Sequence, residues 1–155
     1  MIYILVPTFA RIKETEKFLN SIHESIDKDY LTIIIDDHPE KVTFKSIQQN
    51  NHIKVIASEK EIWWVGSVNL GIQTLFDKYD LKDEDIVVFA NNDVQIDKNS
   101  FNLLYSELKK NKLNNKKINM IDVMRKISSN QKSNSQSNKK YINQCFDLAF
   151  KLIKK

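Results

Sequence analysis

IYILV, at residues 2–6, is a continuous run of apolar residues that Pro7 ends. A short apolar run without polar alternation is typical of a strand buried on both faces, as in a parallel sheet. Comparable runs follow at residues 31–35 and 52–57, and DIVVFA at residues 85–90 makes a fourth. The four runs predict an α/β fold built on an open, mostly parallel sheet.

Amphipathic segments separate these runs. Apolar residues keep a spacing close to 3.6 from Ile12 to Ile26 and again over residues 66–79, which predicts two helices. Thr8 is expected to cap the first of them. A short helix is expected between the second and third strands, and residues 101–113 predict another after the fourth. This alternation predicts right-handed crossovers with helices flanking the sheet.

The composition excludes several classes of protein. The 155 residues include only two glycines, Gly66 and Gly71, too few and too poorly spaced for a Gly-x-Gly-x-x-Gly fingerprint or a P-loop. The longest apolar runs are far below the roughly 20 residues that span a bilayer. One cysteine, Cys145, excludes an internal disulfide framework and a multi-cysteine zinc site. No basic leader precedes the first strand, so we expect a cytoplasmic protein.

The charge is distributed unevenly along the chain. Residues 1–97 carry 10 Lys and Arg against 17 Asp and Glu, a net charge of −7, whereas residues 98–155 carry 14 against 3, a net charge of +11. Residues 128–140 contain no apolar residue and are expected to be disordered, ahead of an amphipathic segment at 141–155. We therefore expect two parts, residues 1–113 and a basic extension at 114–155. The extension is either a solvated surface or a contact for a membrane or polyanion.

Polar residues follow the predicted strands. In open parallel sheets, ligands bind beyond the carboxyl ends of the strands. Asp36 and Asp37 follow the second strand, and Asn91, Asn92 and Asp93 follow the fourth. These carboxylates are oxygen ligands suited to Mg²⁺ or Mn²⁺ together with a diphosphate. The alternative is that they are turn and cap residues, which also favour strand exits.

A second unusual stretch surrounds the two glycines. Trp63 and Trp64 are adjacent, so one is expected in the core while Trp64 lines a pocket; the alternative is that both are packing residues. Gly66 and Gly71 lie in a predicted helix, where glycine costs up to about 1 kcal/mol relative to alanine. We therefore expect a ligand or a neighbouring strand to approach the backbone at both glycines.

Four motifs in order resemble family 2 glycosyltransferases, over about residues 1–110. They are Val6-Pro7-Thr8-Phe9-Ala10-Arg11, Ile33-Ile34-Ile35-Asp36-Asp37, Trp63-Trp64-Val65-Gly66-Ser67-Val68-Asn69-Leu70-Gly71-Ile72 and Val88-Phe89-Ala90-Asn91-Asn92-Asp93-Val94. The last two look most like the rhamnosyltransferase-like branch. The resemblance implies the GT-A fold, with residues 1–113 as its nucleotide-sugar-binding half.

The resemblance also implies residue roles. Pro7, Thr8 and Arg11 match the motif that borders the nucleotide, and Asp36 or Asp37 matches the acid that recognises the base or ribose. Gly66, Asn69 and Gly71 match the segment near the sugar-nucleotide, to which Trp64 is adjacent. Asn91, Asn92 and Asp93 match the Asp-x-Asp element, with Asp93 as the metal ligand and Asn91 in place of the first acid.

The chain also departs from the family's pattern. His38 and Pro39 replace the usual Gly-Ser turn, and His38 is expected to be an ordinary loop residue. Only three acids follow Asp97, namely Glu107, Asp122 and Asp147, and none lies in a family motif, so no catalytic base is assigned. The interpretation is a glycosyltransferase shortened after its metal motif.

The resemblance implies transfer of a sugar from a nucleotide-diphosphate sugar to a glycan or lipid-linked acceptor, in cell-surface polysaccharide synthesis. The implied cofactor is a divalent cation, Mg²⁺ or Mn²⁺. Two alternatives stay open: a donor-binding remnant without transferase activity, and an unrelated α/β nucleotide-binding module. A nucleic-acid partner is not expected, because the first half is acidic. Membrane association at the cytoplasmic face would come from the basic extension.

Overall fold

The computed structural model describes residues 1–113, and it confirms the α/β fold. The strands are β1 (Ile2–Thr8), β2 (Tyr30–Asp36), β3 (Ile53–Ala57) and β4 (Ile86–Phe89). The helices are α1 (Ile12–Ser25), α2 (Val42–Ser46), α3 (Trp63–Lys78) and α4 (Lys98–Leu113). The strands form one parallel sheet in the order β3-β2-β1-β4.

The chain divides into two compact units, residues 1–99 and residues 100–155. The sheet and helices α1 to α3 belong to the first unit. In the second, Phe101 stacks on Tyr105 with ring centroids 6.2 Å apart. The predicted basic extension, with its polar stretch and its amphipathic segment, lies outside the described residues.

The core of the first unit lies around β1 and β2. These strands pair along their whole length, from Ile2 opposite Tyr30 to Thr8 opposite Asp36. Every residue of both strands is buried. Neither face of these strands meets solvent, so no position favours a polar residue. Both strands therefore appear in the sequence as continuous apolar runs.

Two expectations at the end of β1 were wrong. The strand continues through Pro7 to Thr8, and the residue at the N-cap position of α1 is Arg11, not Thr8; its side chain makes no capping hydrogen bond. The Thr8 carbonyl accepts a bond on the β2 side, so the main-chain groups of Pro7 face the other side, where pairing with β4 has ended at Leu5. A proline is tolerated there because no ladder bond needs its missing N–H.

Helix α3 begins at Trp63, three residues earlier than expected, and packs closely on the sheet. A Cβ at Gly71 would lie 3.1 Å from Cδ1 of Ile35 and 3.3 Å from Cδ1 of Leu5. A Cβ at Gly66 would lie 2.6 Å from Cβ of Ile62. The expected approach of a neighbouring strand is therefore confirmed at Gly71. At Gly66 the close neighbour is the side chain of Ile62, which lies just before the same helix, and not a strand.

Candidate functional site

The strand order creates one crevice at the carboxyl edge of the sheet. From β1 the chain passes to β2 and β3 on one side, and it then crosses to β4 on the other side of β1. Where connections run in opposite directions, a crevice opens beyond the strand ends, and ligands of α/β sheets bind there. Arg11 lies beyond β1, and Asn91, Asn92 and Asp93 follow β4, so these residues flank the crevice.

Asn92 fixes the segment after β4 to the start of α1. Its Nδ2 donates to Oγ1 of Thr15 at 2.9 Å, and it lies 3.5 Å from the carbonyl oxygen of Arg11. Asn92 is 5 % exposed and Thr15 is fully buried. Buried polar groups stabilise a fold when they are paired. This bond therefore holds the segment after β4 against the start of α1, on the two sides of the crevice.

Arg11 and Asp93 form an ion pair across the crevice. Nη1 of Arg11 donates to Oδ2 of Asp93 at 3.0 Å. The two side chains are 54 % and 48 % exposed, so solvent reaches both. Ala10, just before Arg11, has φ of 53°, in the left-handed region that alanine rarely adopts. The site thus offers one cationic and one anionic group at its mouth.

Trp64 also contacts the segment after β4. Its indole Nε1 donates to Oδ1 of Asn91 at 3.2 Å, while the ring remains 41 % exposed. Trp63 is 72 % exposed and has φ of 61° at the first position of α3. The expectation that one of the two enters the core is wrong, since both are exposed. A helix that begins at Trp63 turns neither ring into the sheet interface, which Ser67, Val68 and Gly71 supply.

The two carboxylates after β2 accept hydrogen bonds from within the protein, mostly from main-chain N–H groups. Asp36 is fully buried, and its oxygens accept the N–H groups of His38 at 3.1 Å and Phe44 at 2.9 Å. Oδ1 of Asp37 accepts from the Ser58 hydroxyl at 3.0 Å and from the Ile62 N–H at 2.7 Å. The cap interpretation left open for this pair therefore describes Asp36 fully. Within residues 1–113 no hydrogen bond reaches Oδ2 of Asp37.

The remaining predicted site residues divide between the strand end and α3. Pro7 and Thr8 are buried at the end of β1, where the Thr8 hydroxyl bonds to the carbonyl of Ile35 at 3.3 Å and to Oγ1 of Thr43 at 3.2 Å. On α3, Asn69 is half-buried and Gly71 is buried against the sheet. Asp122 and Asp147 lie outside the described residues.

A divalent cation would fit this site only if a ligand supplied further oxygen atoms. Within residues 1–113 no three His, Cys, Asp or Glu side chains form a group that could hold a metal ion. Mg²⁺ in proteins is often held by one or two carboxylates together with substrate phosphates. Asp93 suits that mode because its side chain is about half exposed, although Arg11 is paired with it, and because the neighbouring Asn92 anchors its backbone. Asp36 does not, because its oxygens are both bonded to main-chain N–H groups.

Thr15 is a site residue that the sequence analysis missed. It lies on the buried face of α1 together with Phe18, Leu19 and Ile22. A threonine at a position whose helical neighbours are all apolar is a detectable signal, because a buried hydroxyl needs a partner. The hydroxyl donates locally, to the Arg11 carbonyl at 2.7 Å. It also accepts from Asn92, which is 77 residues away and which no local pattern connects to it.

The geometry agrees with a comparison of the whole sequence with known proteins. The model of the family described as Glycosyl transferase family 2 matches residues 3–149. The match covers nearly the whole chain and runs beyond the stretch of about 110 residues that contains the four motifs. No curated protein gives a significant match. The parallel sheet with flanking helices is consistent with the GT-A fold of such enzymes. The chain belongs to glycosyl transferase family 2.

Proposed function

We propose that the chain transfers a sugar from a nucleotide-diphosphate sugar to a glycan or lipid-linked acceptor, in the synthesis of cell-surface polysaccharide. Family membership supports sugar transfer in general. The observation that carries the proposal is the pairing of Arg11 with Asp93 at the mouth of the crevice. A guanidinium suits phosphate oxygens, and a carboxylate suits a cation that shares those oxygens.

The roles of the site residues follow from their positions. Asp93 would hold Mg²⁺ or Mn²⁺, which when bound supplies positive charge against the charge developing on the departing diphosphate. Arg11 binds a phosphate oxygen from the β1 side of the crevice. Trp64 presents an exposed ring to the donor and is fixed by Asn91. The free oxygen of Asp37 accepts a hydrogen bond from the base or ribose.

The donor is proposed to be one used by rhamnosyltransferase-like enzymes. The support is the motif from Trp63 to Gly71 and the Asn91-Asn92-Asp93-Val94 element. Both elements contribute to the crevice, through Trp64 on one wall and Asp93 on the other. Other family 2 donors differ in the nucleotide as well as the sugar, so binding of different nucleotides is the direct comparison.

Calorimetric titration with UDP, dTDP and GDP, each with Mn²⁺, tests the donor site. We expect one of the three to bind and Asp93→Ala to weaken that binding about ten-fold, since a diphosphate loses a metal contact worth roughly 1–2 kcal/mol. Glu84→Ala is the matched control, because Glu84 is exposed just before β4, at the opposite edge of the sheet. Binding of none of the three nucleotides would overturn the proposal.

Release of nucleotide from the sugar-nucleotide separates an enzyme from a donor-binding remnant. Wild-type protein should release more nucleotide than Asp93→Ala under the same conditions. Equal release by the two proteins, with nucleotide binding retained, would favour the remnant without transferase activity.

The proposed place of action is the cytoplasmic face of a membrane. No helix among residues 1–113 combines the length and the apolar character needed to cross a bilayer. The support for a surface contact is the net charge of +11 over residues 98–155. Vesicles containing anionic lipid should co-sediment the full chain and neutral vesicles should not, and about 0.5 M salt should weaken the binding. Equal binding to both vesicle types would contradict an electrostatic contact.

A further inference from the structure

We propose that Arg11 is a positioning residue whose ion pair with Asp93 hinders cation binding to that carboxylate until a diphosphate binds the guanidinium. The inference rests on the proposed function, because a diphosphate and a divalent cation are the two ligands that it concerns. It assigns to Arg11 a second role besides phosphate binding, namely control of when the metal can bind.

The ion pair is held in place by the fold around it. Asn92 bonds to Thr15 in the first turn of α1 and lies close to the Arg11 carbonyl, so the main chain on both sides of the pair is fixed. The Arg11 carbonyl also accepts the Thr15 N–H at 3.0 Å and the Thr15 hydroxyl at 2.7 Å. Both partners of the pair therefore start from anchored backbone, and their side chains meet over the crevice at 3.0 Å.

The charges at this position explain why a cation would bind poorly on its own. Among residues 1–113, no acidic or histidine cluster adds further ligands to Asp93. The carboxylate already faces one positive charge, so an approaching dication meets a neutral pair and competes with the guanidinium for Asp93. Asn91, at the position of the first acid in the family's motif, contributes no charge, and its Oδ1 is bonded to Trp64.

The same pair is weak enough to open when a diphosphate arrives. Exposed ion pairs contribute only about 0.2–1 kcal/mol, and both side chains here are about half exposed. A diphosphate carries more negative charge than one carboxylate, and the planar guanidinium matches its oxygens. Once Arg11 turns to the phosphates, Asp93 becomes available to the cation. Binding of the two ligands is then coupled, and the coupling acts equally in both directions.

Binding of Mn²⁺ alone, followed by electron paramagnetic resonance of the free ion, tests this role without any nucleotide. Arg11→Gln should bind Mn²⁺ about five-fold more tightly than the wild type, because a competing charge is lost. Arg11→Lys should stay close to the wild type. Lys17→Gln is the matched control, since it removes one exposed positive charge elsewhere on α1. Unchanged or weaker binding by Arg11→Gln would overturn the inference.

Two further arms make the result specific to Asp93 and separate it from the proposed function. The gain in Arg11→Gln should disappear in Arg11→Gln/Asp93→Asn; a gain that survives there would refute the role given to Asp93. UDP, dTDP or GDP, whichever binds, should tighten Mn²⁺ binding in the wild type and tighten it less in Arg11→Gln. If no nucleotide binds, the proposed function fails, whereas the titration with Mn²⁺ alone still decides the role of Arg11.

Discussion

Asn92 and Thr15, 77 residues apart in sequence, form a buried hydrogen bond of 2.9 Å between the end of β4 and the first turn of α1. The bond joins the two walls of the crevice beneath the exposed pair of Arg11 and Asp93. Asn92 therefore has a structural task that its neighbours Asn91 and Asp93 do not share, since those two are exposed. In the Asn-Asn-Asp element, the middle residue is buried and joins two segments, and the outer residues are exposed at the crevice.

Asn92→Ala should destabilise the protein by about 1–3 kcal/mol, because Thr15 loses the donor to its buried oxygen. Asn91→Ala should change stability by less than about 1 kcal/mol, since its partner Trp64 is exposed to water. Urea denaturation of the two variants measures the difference. An equal loss in both would mean that the buried bond contributes nothing beyond an exposed one.

Asp36→Asn should be more destabilising than Asp37→Asn. Asp36 uses both oxygens to accept main-chain N–H groups, whereas an asparagine has one acceptor and would point its amide at the second donor. The expected loss is about 2–3 kcal/mol. Asp37 accepts both of its bonds on Oδ1, which an asparagine retains. Chemical denaturation should therefore show a smaller loss for Asp37→Asn, and the reverse ranking would contradict this account.

Substitution by alanine should destabilise the protein more at Gly66 than at Gly71, although Gly71 is the more buried glycine. Both substitutions gain up to about 1 kcal/mol of helix propensity. At Gly71 the new Cβ meets only the mobile ends of Ile35 and Leu5, at 3.1 and 3.3 Å. At Gly66 it would lie 2.6 Å from Cβ of Ile62, an atom that cannot move without the backbone.

Gly66→Ala should therefore lower the midpoint of urea denaturation more than Gly71→Ala, although Gly71 is the more buried of the two. Ile62→Gly removes the clashing Cβ. Gly66→Ala should therefore lower the midpoint less when it is added to Ile62→Gly than when it is added to the wild type. A larger loss of stability in Gly71→Ala would show that the side chains of Ile35 and Leu5 cannot move aside for the new Cβ.

The sequence predicted the sheet well because local patterns are enough to mark buried parallel strands. Each of the four apolar runs became a strand, with no end shifted by more than two residues. The position of Asp36, Asp37 and Asp93 at the carboxyl edge also followed, because parallel strands all end at the same edge. The end of β1 could not be predicted from the local pattern, because whether Pro7 breaks a strand depends on which neighbouring strand its main chain faces.

The pairing of side chains could not be predicted, because it depends on contacts between distant segments. Arg11 meets Asp93 across 82 residues, and Trp64 meets Asn91 across 27. Asp36 and Asp37 were interpreted together from the sequence, as cation ligands or as turn and cap residues. In the structure they bond to different segments, Asp36 to residues 38 and 44 and Asp37 to residues 58 and 62. Composition and spacing identify which residues reach the edge of the sheet, and only packing selects their partners.

Asp85 should make the stability of the protein depend on pH. Burial acts to raise the pKa of Asp85, but bonds from the Lys82 N–H and from the N-terminal ammonium of Met1, at 2.7 Å, outweigh it and hold the pKa below its usual value. A carboxyl with a lowered pKa in the folded state stabilises it at neutral pH and loses that effect as the pH falls through the folded pKa.

Asp85→Asn should therefore be less stable than the wild type by about 1 kcal/mol at neutral pH. This difference in the free energy of unfolding should persist down to about pH 5 and disappear at more acid pH. Denaturant unfolding across this range is the measurement, with Glu84→Gln as the control, because Glu84 is an exposed neighbour. A gap that is independent of pH would contradict a charge effect.

Trp64 should report ligand binding by its fluorescence, because both tryptophans of the chain lie at the start of α3, beside the crevice. A nucleotide bound with Mn²⁺ excludes water from the exposed ring, so emission should shift to shorter wavelength. Trp63→Phe should keep the shift and Trp64→Phe should abolish it, in titrations with UDP, dTDP and GDP. Asn91→Ala should move the emission of the free protein, since the indole loses its 3.2 Å bond. A shift that disappears in Trp63→Phe and survives in Trp64→Phe would place the donor against the other ring.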